Sequence, residues 1–527
     1  MRILILQFPK RVSGLGDYCL TLIMAENEMK KNGKREKRSL FETISRAIGS
    51  RKVRKDEATL VAYGFDSSIA PFHKPSFVVL PENRDDVRKV LIVANKNKIP
   101  VTVMAGGVNI GGMCVPSEGG IVLDFRNMDK ILEINTDSGY ALIEPGVNFD
   151  RFTAALHKKG FKCHVPTAPG GATPLGNYLL QPSGSLANRH YDSIIALEVV
   201  LPDGTIFHTG SAAYPSENVK YYRRYGPFPD LSGLLCCAYG TLGIITKASV
   251  RIYPENEASR VNLTAFDDYG SATRFVKDVV GANIPEHCII WSWQFYKTYD
   301  ISLENADQPY IPPELYSDPL KPPKGVPYNI VTTLMSGYNE VLDASERVCA
   351  KVAKKYGGRV ISWKELEKIS PGSARSWKEF YLEHHQPKME HNKKYGLGRY
   401  SAWIGIAEPK DVVKVEKYAL ESVKKLGGGV RPICYYSQPF DFGRCMFLRM
   451  FVYTDPKNQD LLKKIKTTYT DMYDTIMQKY GATPERYRRD PNMIRQLGGY
   501  YEVMKKIKKA FDPNNILNPG IGLFQDL

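Results

Sequence analysis

Three glycine-bearing segments, each placed beside an apolar run, constrain this 527-residue chain more than any other feature. The first is Met104-Ala105-Gly106-Gly107-Val108-Asn109-Ile110-Gly111-Gly112, directly after the strand-like Ile99-Pro100-Val101-Thr102-Val103-Met104. The second runs Pro166-Thr167-Ala168-Pro169-Gly170-Gly171-Ala172-Thr173-Pro174-Leu175-Gly176-Asn177, with Ser183-Gly184-Ser185 after it. The third is Tyr239-Gly240-Thr241-Leu242-Gly243-Ile244-Ile245-Thr246. Glycine lacks a Cβ, so consecutive amides can turn inward and approach an anion. One such segment is equally a tight turn. Three of them could wrap a long ligand carrying two phosphates, and the first is neither GxGxxG nor GxxxxGK(S/T), which disfavours an ordinary dinucleotide fold or P-loop.

The text around these segments alternates strand and helix. Phe77 to Leu80 reads as a strand and Asn83 to Asn97 as a helix, with Asp85 and Asp86 in its first turn. Short strands follow at Gly120 to Phe125, Ile131 to Asn135, Tyr140 to Glu144, Ile194 to Leu201 and Gly243 to Ile252, and a helix at Phe149 to Lys159. Further on, helical runs at Asp343 to Lys355 and Lys410 to Lys425 alternate with strands at Tyr328 to Met335, Ser401 to Ile406 and Cys445 to Tyr453. The Pro-rich stretch from Asp307 to Pro327 marks a loop or lid. At 59.4 kDa the chain exceeds what one core serves. The expectation is an α+β protein with an arm at 1–38, a first domain at 39–254, a cap domain at 255–480 and a C-terminal segment at 481–527 returning to the first.

A net charge of +16 suits nucleic acid, an anionic surface, an acidic protein or a carboxylate substrate. The basic residues are dispersed apart from Lys30 to Lys37 and Arg486 to Arg489, without the basic and aromatic interleaving of a nucleic-acid platform, so nucleic acid is not expected. The nine cysteines form no CxxC pair, which argues against zinc or iron–sulfur sites and fits a reducing compartment, the cytoplasm by default. No apolar run reaches spanning length, and the N-terminal apolar stretch has no small-residue cleavage site after it.

Seven motifs in order resemble the vanillyl-alcohol oxidase and p-cresol methylhydroxylase (PCMH) superfamily of FAD-linked oxidoreductases. They are Val78 to Pro81, Gly106-Gly107, Ile121-Val122-Leu123-Asp124, Glu144-Pro145-Gly146-Val147, Gly171 to Asn177, Leu201-Pro202-Asp203-Gly204 and Gly240 to Thr246. Phe511-Asp512-Pro513-Asn514-Asn515-Ile516-Leu517-Asn518-Pro519-Gly520 is similar to the superfamily's C-terminal signature. The resemblance implies a two-subdomain PCMH-type FAD-binding domain with an α+β substrate cap. It implies that Ala105, Gly106, Gly107, Val108, Asn109, Ile110, Gly170, Gly171, Ala172, Thr173, Gly176 and Asn177 hold FAD around its pyrophosphate, and that Gly243, Ile244 and Ile245 meet its ribityl or ring end. The implied chemistry is hydride transfer from a substrate carbon to flavin N5.

On the substrate side, Tyr487-Arg488 lies where phenol-oxidising members carry a Tyr-Arg pair that binds phenolate, which makes these two the expected catalytic residues; the alternative is a solvated basic surface. A guanidinium beside a phenol hydroxyl stabilises an anionic oxygen as charge moves toward the flavin. Two departures stand against the phenol pattern. Gly112 replaces a second tyrosine, and Thr167-Ala168-Pro169 stands where a catalytic aspartate is usual. Val108 and Arg444-Cys445 occupy the positions of flavin-linking histidines, so non-covalent FAD is expected. Ala62-Tyr63-Gly64-Phe65-Asp66-Ser67-Ser68 also resembles the D-lactate and glycolate dehydrogenase branch, whose His-x-Gly-Asp-Gly-Asn-x-His metal motif is absent here. In that branch a 2-hydroxy-acid carboxylate would need arginines, Arg488 with Arg399 or Arg444. His384 and His391 flank Pro387, which breaks the helical spacing that would converge them, and no metal is expected. Three classes stay open: a 4-alkylphenol or aryl-alcohol oxidoreductase, a D-2-hydroxy-acid dehydrogenase, and a non-catalytic flavin subunit of an electron-transfer complex. The basic charge suits an acidic redox partner, a cytochrome or iron–sulfur protein. A homo-oligomer is left open.

Overall fold

The architecture comes from a computed structural model, which describes residues 34–66, 68, 70–108, 111–165, 169–180, 193–301, 311–381, 399–427, 430, 432–455, 457–484, 494 and 496–524. The first described helix, Lys34–Ile48, begins inside the stretch read as an arm, because Ile44 and Ile48 are buried and Leu40 and Phe41 pack against the same core.

The helix Arg84–Lys96 forms where the apolar spacing places it. The Asn83 side chain accepts from the Asp86 amide at its N-terminus, and Val87, Val90, Leu91 and Ala94 are fully buried along one stripe. It is the crossover between the parallel strands Phe77–Val79 and Val101–Met104, with Ile121–Asp124 inserted between them and Val53–Arg54 added antiparallel at the edge. The first glycine segment therefore leaves the carboxyl end of a parallel strand, where βα loops open. A second, five-stranded antiparallel sheet follows the order Ile131–Asn135, Tyr140–Ile143, Ile244–Arg251, Ile194–Val200, Ile206–His208.

The cap is built on an eight-stranded antiparallel sheet ordered Arg359–Ile361, Ala258–Phe266, Asn329–Gly337, His287–Ser292, Ile433–Phe440, Cys445–Thr454, Arg399–Ala407, Thr483–Pro484. Period-two alternation separates its faces. Ile433 and Tyr435 point into a core with the helices Tyr269–Gly281, Asn339–Lys355, Val412–Lys424 and Gln459–Tyr480. Cys434 and Tyr436 point into an aromatic cluster shared with the helices Trp293–Lys297, Trp363–Ile369 and Pro371–Tyr381. The described part of the Pro-rich stretch, from 311 onward, is tied down on the cap. Trp293 Nε1 and Gln294 Nε2 both donate to the Pro319 carbonyl, at 3.1 and 2.6 Å, and Tyr296 donates to that of Pro327 at 2.7 Å. The mixed α+β class expected from the motifs is what the chain adopts, with a four-stranded and a five-stranded sheet followed by the eight-stranded sheet.

After the helix Gly499–Phe511 the chain turns back onto the first sheet. Leu517 pairs in parallel with Val101; the Val101 amide donates to Ile516 O at 2.7 Å and the Asn518 amide to Val101 O at 2.8 Å. Among the described residues no helix is long and apolar enough to cross a membrane.

Candidate active site

The first two glycine segments meet. A Cβ added at Gly106 would lie 3.1 Å from Gly171 O and 3.3 Å from the Thr173 amide nitrogen, and one at Gly176 would lie 2.7 Å from Thr173 Oγ1 and 3.7 Å from the Ala105 Cβ. The spacing sets small residues face to face because any side chain there would push the two loops apart. Gly106, Gly107 and Gly171 are exposed while Ala172 and Thr173 are buried, so the two loops present backbone on a floor of packed side chains. That floor is fixed locally: Phe149 N donates to Ala172 O at 2.9 Å, Asp150 N to Gly170 O at 3.1 Å, and Asn177 N to Thr173 O at 3.0 Å. Gly107 needs its glycine, with φ of +68°. Val108 packs partly into the core beneath. Asn109 and Ile110 lie outside the described residues.

The third segment approaches the same region from the other side. A Cβ at Gly240 would lie 2.6 Å from Val103 Cγ2, on the strand that feeds the first loop. The Cys237 amide donates to Leu179 O at 2.7 Å, at the end of the helix Pro174–Leu180 that follows the second loop. Gly243 and Ile244 are buried, Ile244 in the core under the first sheet, and Ile245 packs partly against the second-sheet core. Two opposed glycine loops with exposed backbone, closed by a third, are a cradle that a Cβ would fill, and they fit the pyrophosphate of FAD.

On the substrate side, Tyr487 and Arg488 lie outside the described residues, as do His384 and His391, and Arg399 is described only as backbone. The Arg444 side chain is 76% exposed and pairs with Asp441 at 3.2 Å on a hairpin tip. Cys445 beside it is half-buried, and burial raises its thiol pKa. The cap instead brings forward a residue that sequence reading passed over. Arg449 sits in the strand Cys445–Thr454 opposite Tyr436 on one side and Ile404 on the other. Its Nη1 donates to the Tyr436 hydroxyl at 2.6 Å, and its guanidinium lies over the Phe447 ring at 4.9 Å. Around it Phe447, Phe451, Tyr436, Phe295 and Trp291 are buried and Arg449 itself is half-buried, its Nε shielded from water, so the guanidinium lies on an aromatic floor. An arginine between apolar neighbours in Met446-Phe447-Leu448-Arg449-Met450-Phe451 was the available signal, since a charge on the inward face of a strand is uncommon without a role.

The two domains touch beside the second glycine loop. Lys162 Nζ pairs with Glu286 at 2.6 Å, and the rings of His164 and His287 lie 6.2 Å apart. Burial holds the His287 imidazole neutral, its pKa pushed down to about 4. Tyr178 donates to His164 O, anchoring the segment that leads into the loop. Among the described residues no group of three or more His, Cys, Asp or Glu is placed to hold a metal.

Comparison with known proteins gives the same outline. Residues 75–210 match the family of FAD binding domains, and residues 446–521 match the C-terminal domain of FAD linked oxidases. The chain is 24% identical to the glycolate oxidase subunit GlcD of Bacillus subtilis, over 91% of this chain and 95% of that protein. It is 25% identical to the 4-cresol dehydrogenase (hydroxylating) flavoprotein subunit of Pseudomonas putida, over 85% of this chain and 88% of the other. In fold it is similar to p-cresol methylhydroxylase solved with substrate bound, at a TM-score of 0.80 and 21% identity, covering 94% of this chain and 99% of that one. A 4-ethylphenol oxidase from Gulosibacter chungangensis superposes at 0.79 with 19% identity and the same coverages.

Proposed function

We propose, from the premise that this chain is an FAD-dependent oxidoreductase of the FAD-linked oxidases with a PCMH-type FAD-binding domain, that it oxidises a small aromatic substrate of the 4-alkylphenol or aryl-alcohol class. The observation that carries this reading is the Arg449–Tyr436 pair on the aromatic face of the cap sheet. An aromatic substrate would meet this face at the half-buried Arg449, where a phenolate oxygen can accept from the guanidinium and the Tyr436 hydroxyl together. Bound FAD supplies the hydride acceptor. The loops 105–108 and 170–173 hold it by backbone amides, Arg449 stabilises the negative oxygen as charge leaves the substrate, and the buried aromatics keep water away. Tyr487 and Arg488, which lie outside the described residues, are kept from the sequence as candidates for binding the anionic oxygen. FAD is held without a covalent bond, since Val108 and the exposed Arg444 with Cys445 offer no histidine.

A second reading, D-2-hydroxy-acid oxidation, is supported by the nearly full-length similarity to the glycolate oxidase subunit GlcD. Arg449 would then hold a carboxylate, and the aromatic floor would be larger than such a substrate needs. The net charge of +16 supports an acidic protein as electron acceptor. The test is anaerobic mixing of the protein with a para-alkylphenol and, separately, with D-lactate, following the oxidised flavin band. Bleaching by the phenol only, slowed about 100-fold in Arg449→Met with the flavin still bound, is the expected outcome. Bleaching by D-lactate alone selects the second reading, and an unchanged rate in Arg449→Met removes Arg449 from the site.

A further inference from the structure

The last described turn of the chain is bonded into the cofactor region more heavily than a surface tail needs. Lys508 is 1% exposed, and its ammonium donates to three acceptors: Thr241 O at 2.8 Å, Leu517 O at 3.1 Å and Asp512 Oδ2 at 2.7 Å. Asp512, also 1% exposed, accepts from the amides of Ile516 and Leu517 at 3.0 and 2.7 Å, which folds the tail into the shape that pairs with Val101. One step on, the Asn518 side chain donates to Tyr239 O at 2.8 Å.

Both side-chain anchors land on the third glycine loop, and that loop is strained. Cys237 and Tyr239 have φ of +59° and +53°, with Gly240 at +70°. Non-glycine residues in the left-handed region persist only where the surroundings hold them, and such strain gathers at ligand clamps. The loop lies close against Val103 of the strand that delivers the first glycine loop, a Cβ at Gly240 coming within 2.6 Å of Val103 Cγ2, so a shift in it reaches the opposing loops as well. A buried lysine with one carboxylate and two carbonyls is costly to assemble for stability alone.

We propose that Lys508 and Asn518 are positioning residues for the cofactor: the C-terminal segment is a latch that holds residues 237–243 in their strained form and thereby sets FAD retention and the surroundings of its ring. This rests on the reading that residues 243–245 meet FAD.

The test uses the full-length holoprotein with two variants, Asn518→Leu and the double variant Lys508→Met with Asp512→Asn, the second removing both charges so that neither is stranded. Gly106→Val serves as a control on the cradle itself. FAD release is read by the rise of flavin fluorescence after dilution, the visible band of the bound flavin is recorded, and the thermal midpoint of each apoprotein is measured separately. Loss of one hydrogen bond to the loop corresponds to about tenfold faster release, and the double variant, which removes the lysine's three donors, is expected to release faster still. The latch predicts that acceleration together with an altered visible band in Asn518→Leu, with its apoprotein midpoint near that of wild type. Release within about twofold of wild type and an unchanged band in both variants would overturn it, as would a loss of FAD that only tracks apoprotein stability. If Gly106→Val also retained FAD normally, the cradle reading would fall with it; if only that control lost FAD, the cradle would stand and the latch would fail.

Discussion

Replacing Glu416 by Gln should make the cap more stable in alkaline solution and leave it unchanged in acid. Glu416 lies on the helix Val412–Lys424, is 5% exposed, and receives the Tyr328 hydroxyl at 3.0 Å. Burial, partly opposed by hydrogen bonds from Tyr435 and Tyr328 and reinforced by the charge of Asp268, pushes its pKa from 4.5 up to about 7. A carboxyl whose folded pKa exceeds its unfolded one binds more protons when folded, so stability falls as pH rises between those two values. The rise from 4.5 to about 7 corresponds to about 3 kcal/mol lost above pH 7 and fully regained below pH 4.5. Glutamine keeps the volume and hydrogen-bonding groups without the charge, so Glu416→Gln should exceed wild type by up to about 3 kcal/mol at pH 8.5 and match it at pH 4. All five tryptophans, Trp291, Trp293, Trp363, Trp377 and Trp403, fall in the cap, so the fluorescence midpoint in urea reads this domain rather than the FAD domain. An advantage at pH 8.5 no larger than at pH 4 would refute the assignment of a buried carboxyl with a raised pKa.

The opposite sign is expected at Glu198, 1% exposed in the second sheet. Burial pushes its carboxyl up, but the hydrogen bonds of His208, Lys247 and Thr246 outweigh it and hold it down at about 2. Glu198→Gln should therefore cost about 3 kcal/mol at neutral pH, with the deficit shrinking as pH falls from 4.5 toward 2 in melting curves. Gly106→Val should abolish the flavin absorbance of purified protein, because its side chain enters the space facing Gly171 O. Acid precipitation should leave the flavin entirely in the supernatant; colour in the pellet would show a covalent link. Leu91→Ala, in the fully buried stripe of the helix Arg84–Lys96, should lower stability by roughly 2–5 kcal/mol in denaturant titrations.

The fold was legible wherever a local rule and the global arrangement agreed. The helix Arg84–Lys96 announced itself through Asn83, two acidic residues and an apolar stripe, and the glycine segments through the requirement that backbone approach backbone, as Gly106 does at Gly171. That those segments share one ligand was implied by the resemblance, but the contacts by which they meet were not legible. They depend on the chain returning from residue 170 to residue 106, with Phe149 and Asp150 bonding the loop into place, and no local pattern encodes that. The same holds for the C-terminal segment. Its motif could be matched, but Lys508 reads as one more basic residue in Lys505-Lys506-Ile507-Lys508-Lys509 until the fold buries it against Thr241 O.

Arg449 separates two ways of finding a site. Reasoning from resemblance looked for a Tyr-Arg pair adjacent in sequence, at Tyr487-Arg488, and took 399 and 444 as further arginines. The sheet brings a guanidinium and a phenol together from residues thirteen apart, because Tyr436 and Arg449 stand opposite each other across a hairpin. Chemistry selects the juxtaposition of a guanidinium and a phenol, and either chain adjacency or cross-strand register can supply it. A charged residue on an otherwise apolar strand face is then the stronger sequence signal, since its removal from water has to be offset by polar partners, here the Tyr436 hydroxyl.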